Sequence, residues 1–492
     1  MKQKFYIHCA IPYTNAKPHI GHALEFIQTD TIARYHRLLG EDVLTLSGGD
    51  ENALKNVQAA ETAGEDIQEF VDKNAKFFQE LAEKLNAKFD IFQKGSDQKH
   101  HYPASQKLWQ LCEQAGDIYK KAYRGLYCVG CELFYSPDEL DEKGECFEHP
   151  GKKLEEVEEE NYFFRLSKYQ DKLIQLIESG EYEIIPEFRK HEMLSLLKSG
   201  LQDISISRTN ERAKNWGVPV PNDPTQRIYV WFDALNIYQS GVGFGWDDEK
   251  YNKWWPADLQ VIGKGILRFH AVYWPAFLLS AGLKLPKELF VHEYFTVNGQ
   301  KMSKTLGNVY DPIPLVEKHG ADPLRYFCLA KISPFQDGDF SEEKFNESYN
   351  ADLANGLGNL VARVAKLCET HSVIAIRQLP EKQSLSFDPK MTQYLEEYKF
   401  NEATAFIWSQ ISEADKEINI KKPWELSKEE AKPVLEDLVG RIQQIAFNLQ
   451  PFLPETAEKI LKQFSGEIKS APPLFPRLPS PSGEAIGGQA RL

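Results

Sequence analysis

The first 115 residues carry two kinds of hydrophobic pattern in succession. Residues 4–10 ("KFYIHCA") are mostly apolar, which predicts a buried strand. A helix is predicted next, because apolar or weakly polar residues recur at helical spacing at Leu24, Ile27, Thr31, Tyr35 and Leu38. Gly40 is expected to end this helix. A second strand is predicted from Asp42 ("DVLTLSGGDEN"). This β-α-β order is typical of doubly wound nucleotide-binding sheets, whose ligands lie at the carboxyl ends of the strands.

Later segments return to this pattern after an interruption. Residues from about 116 are turn-rich and then acidic, and we interpret them as an inserted module. Strands are predicted again at 227–235 ("RIYVWFDAL"), 259–266 and 289–295. Helical spacing then predominates near 350–370, 391–417 and 428–464. The predicted boundaries are 1–115 and 226–300 for the α/β domain, 116–225 for the insert, 301–345 for a loop region, 346–470 for an all-helical domain and 471–492 for a tail.

Composition narrows the class of protein. With 492 residues, 42% of them hydrophobic, the chain is too long for one ordinary core and too apolar for disorder. The longest apolar stretch, 271–283, contains Pro275 and is shorter than the roughly 20 residues that cross a bilayer. We therefore expect a cytoplasmic protein without a membrane span. The net charge of −14 argues against an unspecific nucleic-acid coat, because phosphate affinity comes largely from Lys and Arg.

Two histidines flank a glycine where the first predicted helix begins. A helix N-terminus offers N–H groups and the positive end of the helix dipole, and His19 and His22 add donors there. Gly21 lets a flat ring or a phosphate approach the backbone. The motif suits a nucleotide, but the same pair also fits ordinary helix capping, so both interpretations stay open.

A second motif, "KMSKT" at 301–305, places two lysines in a loop. The ammonium groups of Lys301 and Lys304 can close over a triphosphate. A lysine-rich loop alone is weak evidence. In this order and context, however, the two motifs resemble the two sequence marks of class I aminoacyl-tRNA synthetases.

The inserted module carries a candidate metal site with the spacing C-x2-C-x14-C-x2-H, formed by Cys128, Cys131, Cys146 and His149. Two short thiolate-rich pairs on adjacent turns suit tetrahedral Zn²⁺, and four protein ligands favour one structural ion over a catalytic one. The alternative is a set of reduced structural cysteines beside an unrelated histidine.

Over nearly its whole length, to about residue 470, the chain resembles the methionyl-tRNA synthetase family. The resemblance rests on "AIPYTNAKPHIGHA", the cysteine motif, "GLQDISISR", "YVWFDAL", "IGKGILRFH" and "KMSKT", in the family's order. It implies an α/β fold: a Rossmann-type, doubly wound parallel-sheet catalytic domain with an inserted zinc-knuckle connective domain, a stem-contact region and a C-terminal all-α helical-bundle anticodon domain. The implied reaction attaches methionine to its tRNA through a methionyl-adenylate formed from ATP.

The resemblance assigns the chemistry of the first step to particular residues. Catalysis would rest on His19, His22, Lys301 and Lys304, with Mg²⁺ on the phosphates. ATP would contact Gly21, Gly263 and Lys304. The attacking methionine carboxylate is already an anion, so no general base is needed, and catalysis comes from positioning and from charge at the phosphate.

The resemblance also implies two recognition sites. A thioether is polarizable and nearly apolar, which suits an aromatic pocket. The implied pocket residues are Ile11, Tyr13, Asp50, Trp231, Ala234, Leu235, Tyr238, Ile266 and His270, with Asp50 pairing the α-ammonium group. The anticodon of the methionine tRNA would meet Asn355, Asn359, Arg363 and Trp424, the first three of which share one face of a helix. Each pocket or anticodon residue also has an ordinary packing interpretation.

Two segments depart from the family pattern. The family commonly has Asp-Glu-His-Gly where this chain has "DENA" (50–53), and Gly-Lys-Asp where it has "GKG" (263–265). Both lie where the adenosine ribose is expected, which leaves open altered contacts, compensation by Glu51 or Asn52, or weaker ATP affinity. They also keep an alternative function open, a catalytically inactive, synthetase-like RNA-binding protein. Another class I synthetase or a small nucleotidyltransferase are rival enzymes. We expect a monomer, because no appended tRNA-binding module follows residue 470.

Overall fold

A computed structural model describes residues 2–128, 133–135, 140–146, 151, 153–302, 307–375 and 385–479. The chain divides into two compact units. The first unit comprises Met1–Glu83 and Ala87–Tyr294, and the second comprises Lys84–Asn86 and Phe295–Leu492. Each unit is described by itself below.

The first unit alternates strands and helices. Its strands are β1 (Lys4–Cys9), β2 (Asp42–Gly49), β3 (Ile91–Lys94), β4 (Ile118–Cys128), β5 (Leu133–Tyr135), β6 (Glu155–Phe164), β7 (Glu183–Ile185), β8 (Ile204–Ser205), β9 (Ser207–Thr209), β10 (Pro219–Val220), β11 (Asp223–Ile228), β12 (Leu259–Gly263) and β13 (Glu288–His292). Its α-helices are α1 (Ile20–Leu38), α2 (Leu54–Ala63), α3 (Ile67–Lys84), α4 (His101–Gln114), α5 (Gln170–Ser179), α6 (Glu187–Lys198), α7 (Val230–Ala234), α8 (Ile237–Ser240), α9 (Asp248–Trp254) and α10 (Trp274–Ser280). Short 3₁₀ turns at Leu166–Tyr169 and Lys264–Ile266 and a π-helical turn at Phe269–Tyr273 complete it.

A six-stranded parallel sheet forms the centre of the first unit, in the order β3-β2-β1-β12-β13-β7. The chain proceeds outward from β1 through β2 to β3 on one side, and from β12 to β13 on the other. Strand order therefore reverses between β1 and β12, and open sheets of this kind bind ligands in the crevice beyond the strand ends at that point. The predicted α/β class with a parallel sheet is confirmed.

The opening elements lie where the sequence pattern places them. The strand predicted at 4–10 is β1, and the strand predicted from Asp42 is β2. Helix α1 ends at Leu38, just before Gly40, whose φ of 88° only glycine adopts readily. The β-α-β prediction for this region is confirmed.

One predicted strand is wrong. The segment 227–235 continues β11 only to Ile228, and the backbone then turns at Tyr229 into helix α7. All five residues of α7 are buried. Because Asp233 is the only polar residue of α7 and is itself buried, the run has no exposed polar face that would have revealed a helical period.

The region assigned to the insert contains two smaller antiparallel sheets, β5-β4-β6-β8 and β10-β11-β9. It also contributes β7 to the central sheet, where Glu183 lies opposite Glu288 of β13. The chain therefore returns to the central sheet within residues 116–225. A strand of three residues between turns carries too short a pattern to be recognised from sequence.

The second unit is mainly helical. Its helices are α11 (Ile313–His319), α12 (Ala321–Tyr326), α13 (Glu342–Ser348), α14 (Asn359–His371), α15 (Pro389–Glu396), α16 (Phe400–Lys421), α17 (Lys428–Leu449) and α18 (Pro454–Gln463), with π-helical segments at Phe327–Lys331 and Tyr349–Gly358 and a 3₁₀ turn at Pro423–Glu425. Its short strands are β14 (Phe295–Val297), β15 (Gln300–Lys301), β16 (Gly338–Phe340), β17 (Ile374–Ala375) and β18 (Gly466–Glu467). Helices occupy all three segments predicted to be helical after residue 345.

Within the described part of the chain, no helix has both the length and the apolar composition needed to cross a bilayer.

Candidate active site

The two histidines at the start of α1 cap the helix. The Nδ1 atom of His19 accepts the Gly21 N–H at 3.1 Å, and the Nδ1 atom of His22 accepts the His19 N–H at 3.1 Å. This is a reciprocal capping box in which imidazole nitrogens take the usual place of side-chain oxygens. With Nδ1 accepting in both rings, the proton of each neutral imidazole is on Nε2. The capping and nucleotide interpretations are thus compatible, because the cap fixes the tautomer that presents an N–H donor.

The loops that leave β1 and β2 meet at the carboxyl edge of the sheet. The Asp50 N–H donates to the Pro12 carbonyl at 2.9 Å, and Tyr13 and Asp50 form an isolated parallel bridge. Asp50 is 2% exposed. The Lys55 ammonium group lies over the Tyr13 ring. The loop after β1 therefore carries Tyr13 and, a few residues later, the capping histidine His19.

Aromatic rings from distant segments meet beside Tyr13. The Tyr13 and Trp231 rings contact edge to face, with centroids 6.2 Å apart. Trp231, on α7, stacks on Phe269 at 3.7 Å with an interplanar angle of 6°. Its neighbours Ala234 and Leu235 are buried. The structure thus brings together residues that the sequence assigned to the methionine pocket.

A second group of pocket residues is linked by hydrogen bonds. The Tyr238 hydroxyl donates to His270 Nε2 at 2.8 Å, because His270 Nδ1–H donates to the Ile266 carbonyl at 3.0 Å and leaves Nε2 as the acceptor. The Tyr238 ring stacks on His8 of β1 at 3.7 Å. Ile11, also assigned to the pocket, follows β1 and is half-buried.

Burial keeps the imidazoles of this group neutral. It lowers the pKa of His270 from 6.5 to about 4, against a smaller opposing effect of the bond to Ile266. Burial, together with the nearby His270, also holds the pKa of His8 well below its usual value. The wall formed by Tyr238, His270 and His8 is therefore uncharged at neutral pH, which suits a nearly apolar side chain.

The "DENA" segment is tied into the surrounding structure. Glu51 is fully buried, and its Oε2 accepts the Ser96 N–H at 2.9 Å. Burial raises the Glu51 pKa above its usual value. The Asn52 side-chain amide donates to the Gly95 carbonyl at 2.7 Å and to Asp233 at 2.6 Å. Both side chains that were candidates for compensation thus hold neighbouring loops together.

The "KMSKT" motif follows a tight hairpin in the second unit. Asn298 and Gly299 both have positive φ, 51° and 74°, as a two-residue type I′ turn between β14 and β15 requires. Lys301 ends β15 and is exposed, and its carbonyl accepts the Asn308 side-chain amide at 3.1 Å. The hairpin therefore fixes the chain before the motif, and the bond from Asn308 ties the chain after the motif back to Lys301. Lys304 lies outside the described residues.

Two of the four predicted zinc ligands come together. The Sγ atoms of Cys128, at the end of β4, and Cys146 lie 3.2 Å apart, and both residues are buried. This separation exceeds the roughly 2.05 Å of a disulfide bond and brings two thiol donors to one point, which fits half of a tetrahedral zinc site. Cys131 and His149 lie outside the described residues, and within the described ranges no three metal-binding side chains converge.

The residues assigned to the anticodon face solvent in the second unit. Asn355, in the π-helical segment, and Asn359, the first residue of α14, are both exposed. Arg363 pairs with Asp415 of α16 at 2.6 Å, and its guanidinium lies 6.0 Å from the ring centroid of Trp424. Trp424 is 48% exposed, which is unusual for so large an apolar side chain.

Sequence reasoning missed His8 and Phe269, which stack on Tyr238 and Trp231. His8 had a signal, because a polar residue inside a buried strand needs a reason. Phe269 lies within the motif "IGKGILRFH", but its stacking partner is 38 residues away in a segment taken for a strand, so the motif did not mark it as a pocket residue.

The fold and these motifs define a class I tRNA synthetase. The family described as "tRNA synthetases class I (M)" matches residues 5–365. Two curated relatives are similar over most of the chain. The methionine–tRNA ligase of Thermotoga maritima is 42% identical over 481 residues, covering 95% of this chain and 76% of that protein. The methionine–tRNA ligase of Rhizobium meliloti is 43% identical, covering 93% and 91%. The chain belongs to the methionyl-tRNA synthetase family.

Solved structures agree with this assignment. Mycobacterium tuberculosis methionyl-tRNA synthetase in complex with methionyl-adenylate superposes with a TM-score of 0.88 at 37% identity, covering 96% of this chain and all of that one. The apo form of the same enzyme gives 0.81 at 34% identity, covering 98% and 99%. The likeness thus extends over both units of the chain.

Proposed function

We propose that the protein attaches methionine to its cognate tRNA in an ATP-dependent reaction through a methionyl-adenylate. The observation that carries the proposal is the loop after β1, where Tyr13 contacts the aromatic pocket and His19 caps α1 beside the sheet's ligand crevice. The relatives' printed names, and the adenylate bound to the tuberculosis enzyme, support the same reaction.

Methionine would occupy the aromatic pocket. Its polarizable thioether would contact Tyr13, Trp231 and the neutral Tyr238–His270 pair, which offers weak polar contacts without a charge. Its α-ammonium group would pair with the buried Asp50. Ile11, Ala234, Leu235 and Ile266 would complete the apolar lining.

The first step would be an in-line displacement at the α-phosphate of ATP. A methionine carboxylate oxygen forms a bond to the α-phosphorus, and the bond from that phosphorus to the oxygen bridging to the β-phosphate breaks, releasing pyrophosphate. The Nε2–H groups of His19 and His22 would donate to phosphate oxygens, and Lys301 and Lys304 would neutralise charge that develops there. Gly21 and Gly263 would lie against the nucleotide. Mg²⁺ bound to ATP would supply further charge stabilisation.

The second step transfers the methionyl group to the tRNA. The terminal adenosine hydroxyl oxygen bonds to the carbonyl carbon of the adenylate, the bond from that carbon to the phosphate oxygen breaks, AMP leaves, and the hydroxyl proton passes to AMP or to solvent. Asn355, Asn359, Arg363 and Trp424 would contact the anticodon, and the exposed Trp424 ring suits stacking on an unstacked base. Residues 301–345 would contact the stem, and 346–470 would form the anticodon domain.

One zinc ion would stabilise the connective insert, held by Cys128, Cys131, Cys146 and His149. The close approach of the Cys128 and Cys146 sulfur atoms supports this ligand set. We also propose a cytoplasmic monomer. A reducing compartment agrees with the described cysteines, because none of these forms a disulfide bond.

The proposed chemistry is tested by replacing Lys304 with Ala. Adenylate formation in a single turnover should slow about 100-fold or more, as for removal of one charge-stabilising donor, while methionine affinity stays close to wild type. The matched control is Lys318→Ala, an exposed lysine of α11. Near-normal adenylate formation in the Lys304 variant would contradict the assignment.

A further inference from the structure

The loop that follows β12 is fastened by the two residues that follow β13. Gly263 and His292 are register partners, so the two strands end side by side. Lys264 and Gly265 then leave one strand, and Glu293 and Tyr294 leave the other. All of these residues belong to the first unit.

Three contacts join the two exits. The Gly265 N–H donates to the Tyr294 hydroxyl oxygen at 2.7 Å. The Lys264 ammonium group lies 2.7 Å from Glu293 Oε2 and 5.2 Å from the centroid of the Tyr294 ring. Glu293 is 6% exposed, and its other carboxylate oxygen accepts Arg189 Nε–H at 3.0 Å. The loop is thus held through both its backbone and its side chain.

The Tyr294 hydroxyl occupies the space that a side chain at residue 265 would fill. A Cβ atom at this position would lie 2.1 Å from the Tyr294 oxygen, whereas the next nearest atom, ring carbon Cζ, would be 3.3 Å away. Gly265 is not among the glycines with positive φ, so the backbone itself would accept alanine. The glycine therefore makes room for one oxygen atom.

This loop borders the crevice between β1 and β12, where an open parallel sheet binds its ligand. We propose that Tyr294 is a positioning residue for ATP, whose hydroxyl, with the Glu293 carboxylate, sets the loop 263–265 against the nucleotide. The inference rests on the proposed function and deepens it. It also explains the "GKG" sequence, because an aspartate at 265 would displace the hydroxyl that holds the loop.

The test is a double-mutant cycle at the two positions. Tyr294→Phe removes one neutral hydrogen bond and should raise the KM for ATP about two- to tenfold. Gly265→Ala forces its Cβ against the hydroxyl and should raise that KM further. In Gly265→Ala/Tyr294→Phe the oxygen is absent, so the KM should return to the value of Tyr294→Phe alone. The KM for methionine should stay at the wild-type value throughout, as measured by ATP–pyrophosphate exchange.

Two comparisons separate positioning from a general loss of structure. Tyr119→Phe removes a hydroxyl that donates to Asp203 at 2.8 Å and should leave the KM for ATP unchanged. An unchanged KM for ATP in Tyr294→Phe, or a double variant no better than Gly265→Ala, would overturn the inference. If Gly265→Ala does not fold, the KM for ATP of the Tyr294→Phe variant tests the inference by itself. Failure of the proposed function would look different, because the wild-type protein would then show no exchange with methionine.

Discussion

Single residues decide the polarity of the proposed methionine pocket. His270 is buried, donates from Nδ1 to a carbonyl and accepts the Tyr238 hydroxyl on Nε2, so its neutral form satisfies both ring nitrogens. A protonated imidazole would lose the bond from Tyr238, because Nε2 would then be a donor too. This pair therefore needs a neutral imidazole to keep its geometry.

The pH dependence of stability follows from the pKa of His270. It is about 4 in the folded protein and near 6.5 when unfolded, so between these values the unfolded state binds more protons. The contribution of the neutral His270 imidazole to the free energy of unfolding is fully present above pH 6.5. It is lost as the pH falls toward 4, and the loss is at most about 3 kcal/mol. Urea unfolding at pH 7 and pH 5 should show a smaller loss of stability for His270→Gln than for wild type. Equal losses would contradict this prediction.

Sequence indicates some of these residues and not others. The family resemblance selects Tyr238 and His270, and the structure joins them by a hydrogen bond. It does not select His8, which reaches Tyr238 from a strand 230 residues earlier. Stacking between residues so far apart in sequence depends on tertiary packing. The spacing of hydrophobic residues predicts only local helices and strands.

Among the elements, α1 does most to organise the site. Its first turn uses the two histidines as a capping box, so stability and the orientation of the Nε2–H donors depend on the same side chains. The helical spacing predicted α1 correctly, because one of its faces is polar. It failed at α7, where every residue is buried.

Substitutions at His19 separate the two roles. Asn is a good N-cap and can accept the Gly21 N–H, but it lacks the Nε2–H donor. We therefore expect His19→Asn to keep near-wild-type stability while exchange falls about 100-fold, as for loss of one transition-state donor. His19→Ala should lose the same activity and about 1 kcal/mol of stability besides. Urea unfolding and ATP–pyrophosphate exchange measure the two effects, and wild-type exchange in His19→Asn would remove His19 from the mechanism.

On the scale of the whole molecule, the chain combines an α/β unit with a mainly helical unit. The sequence predicted the parallel sheet and the later helices from their periods. It did not predict the return of residues 183–185 to the sheet, because three residues cannot express a period. The cysteine spacing predicted a zinc site, and the structure brings together the two predicted ligands that lie within the described residues.

Metal analysis tests the zinc prediction. Purified protein should contain about one zinc ion per chain, and Cys128→Ser should contain far less, because a thiolate ligand is lost. Cys368→Ala, which changes a buried cysteine of α14 in the other unit, is the matched control and should retain the metal. Equal zinc in all three proteins would exclude Cys128 as a ligand.

The proposed function depends on the activation of methionine by this chain. ATP–pyrophosphate exchange measured separately with each of the twenty amino acids tests it most directly. We expect exchange with methionine and with no other amino acid at comparable concentration, since the wall formed by Tyr238, His270 and His8 is aromatic and uncharged. Exchange with a different amino acid, or none with any, would contradict it.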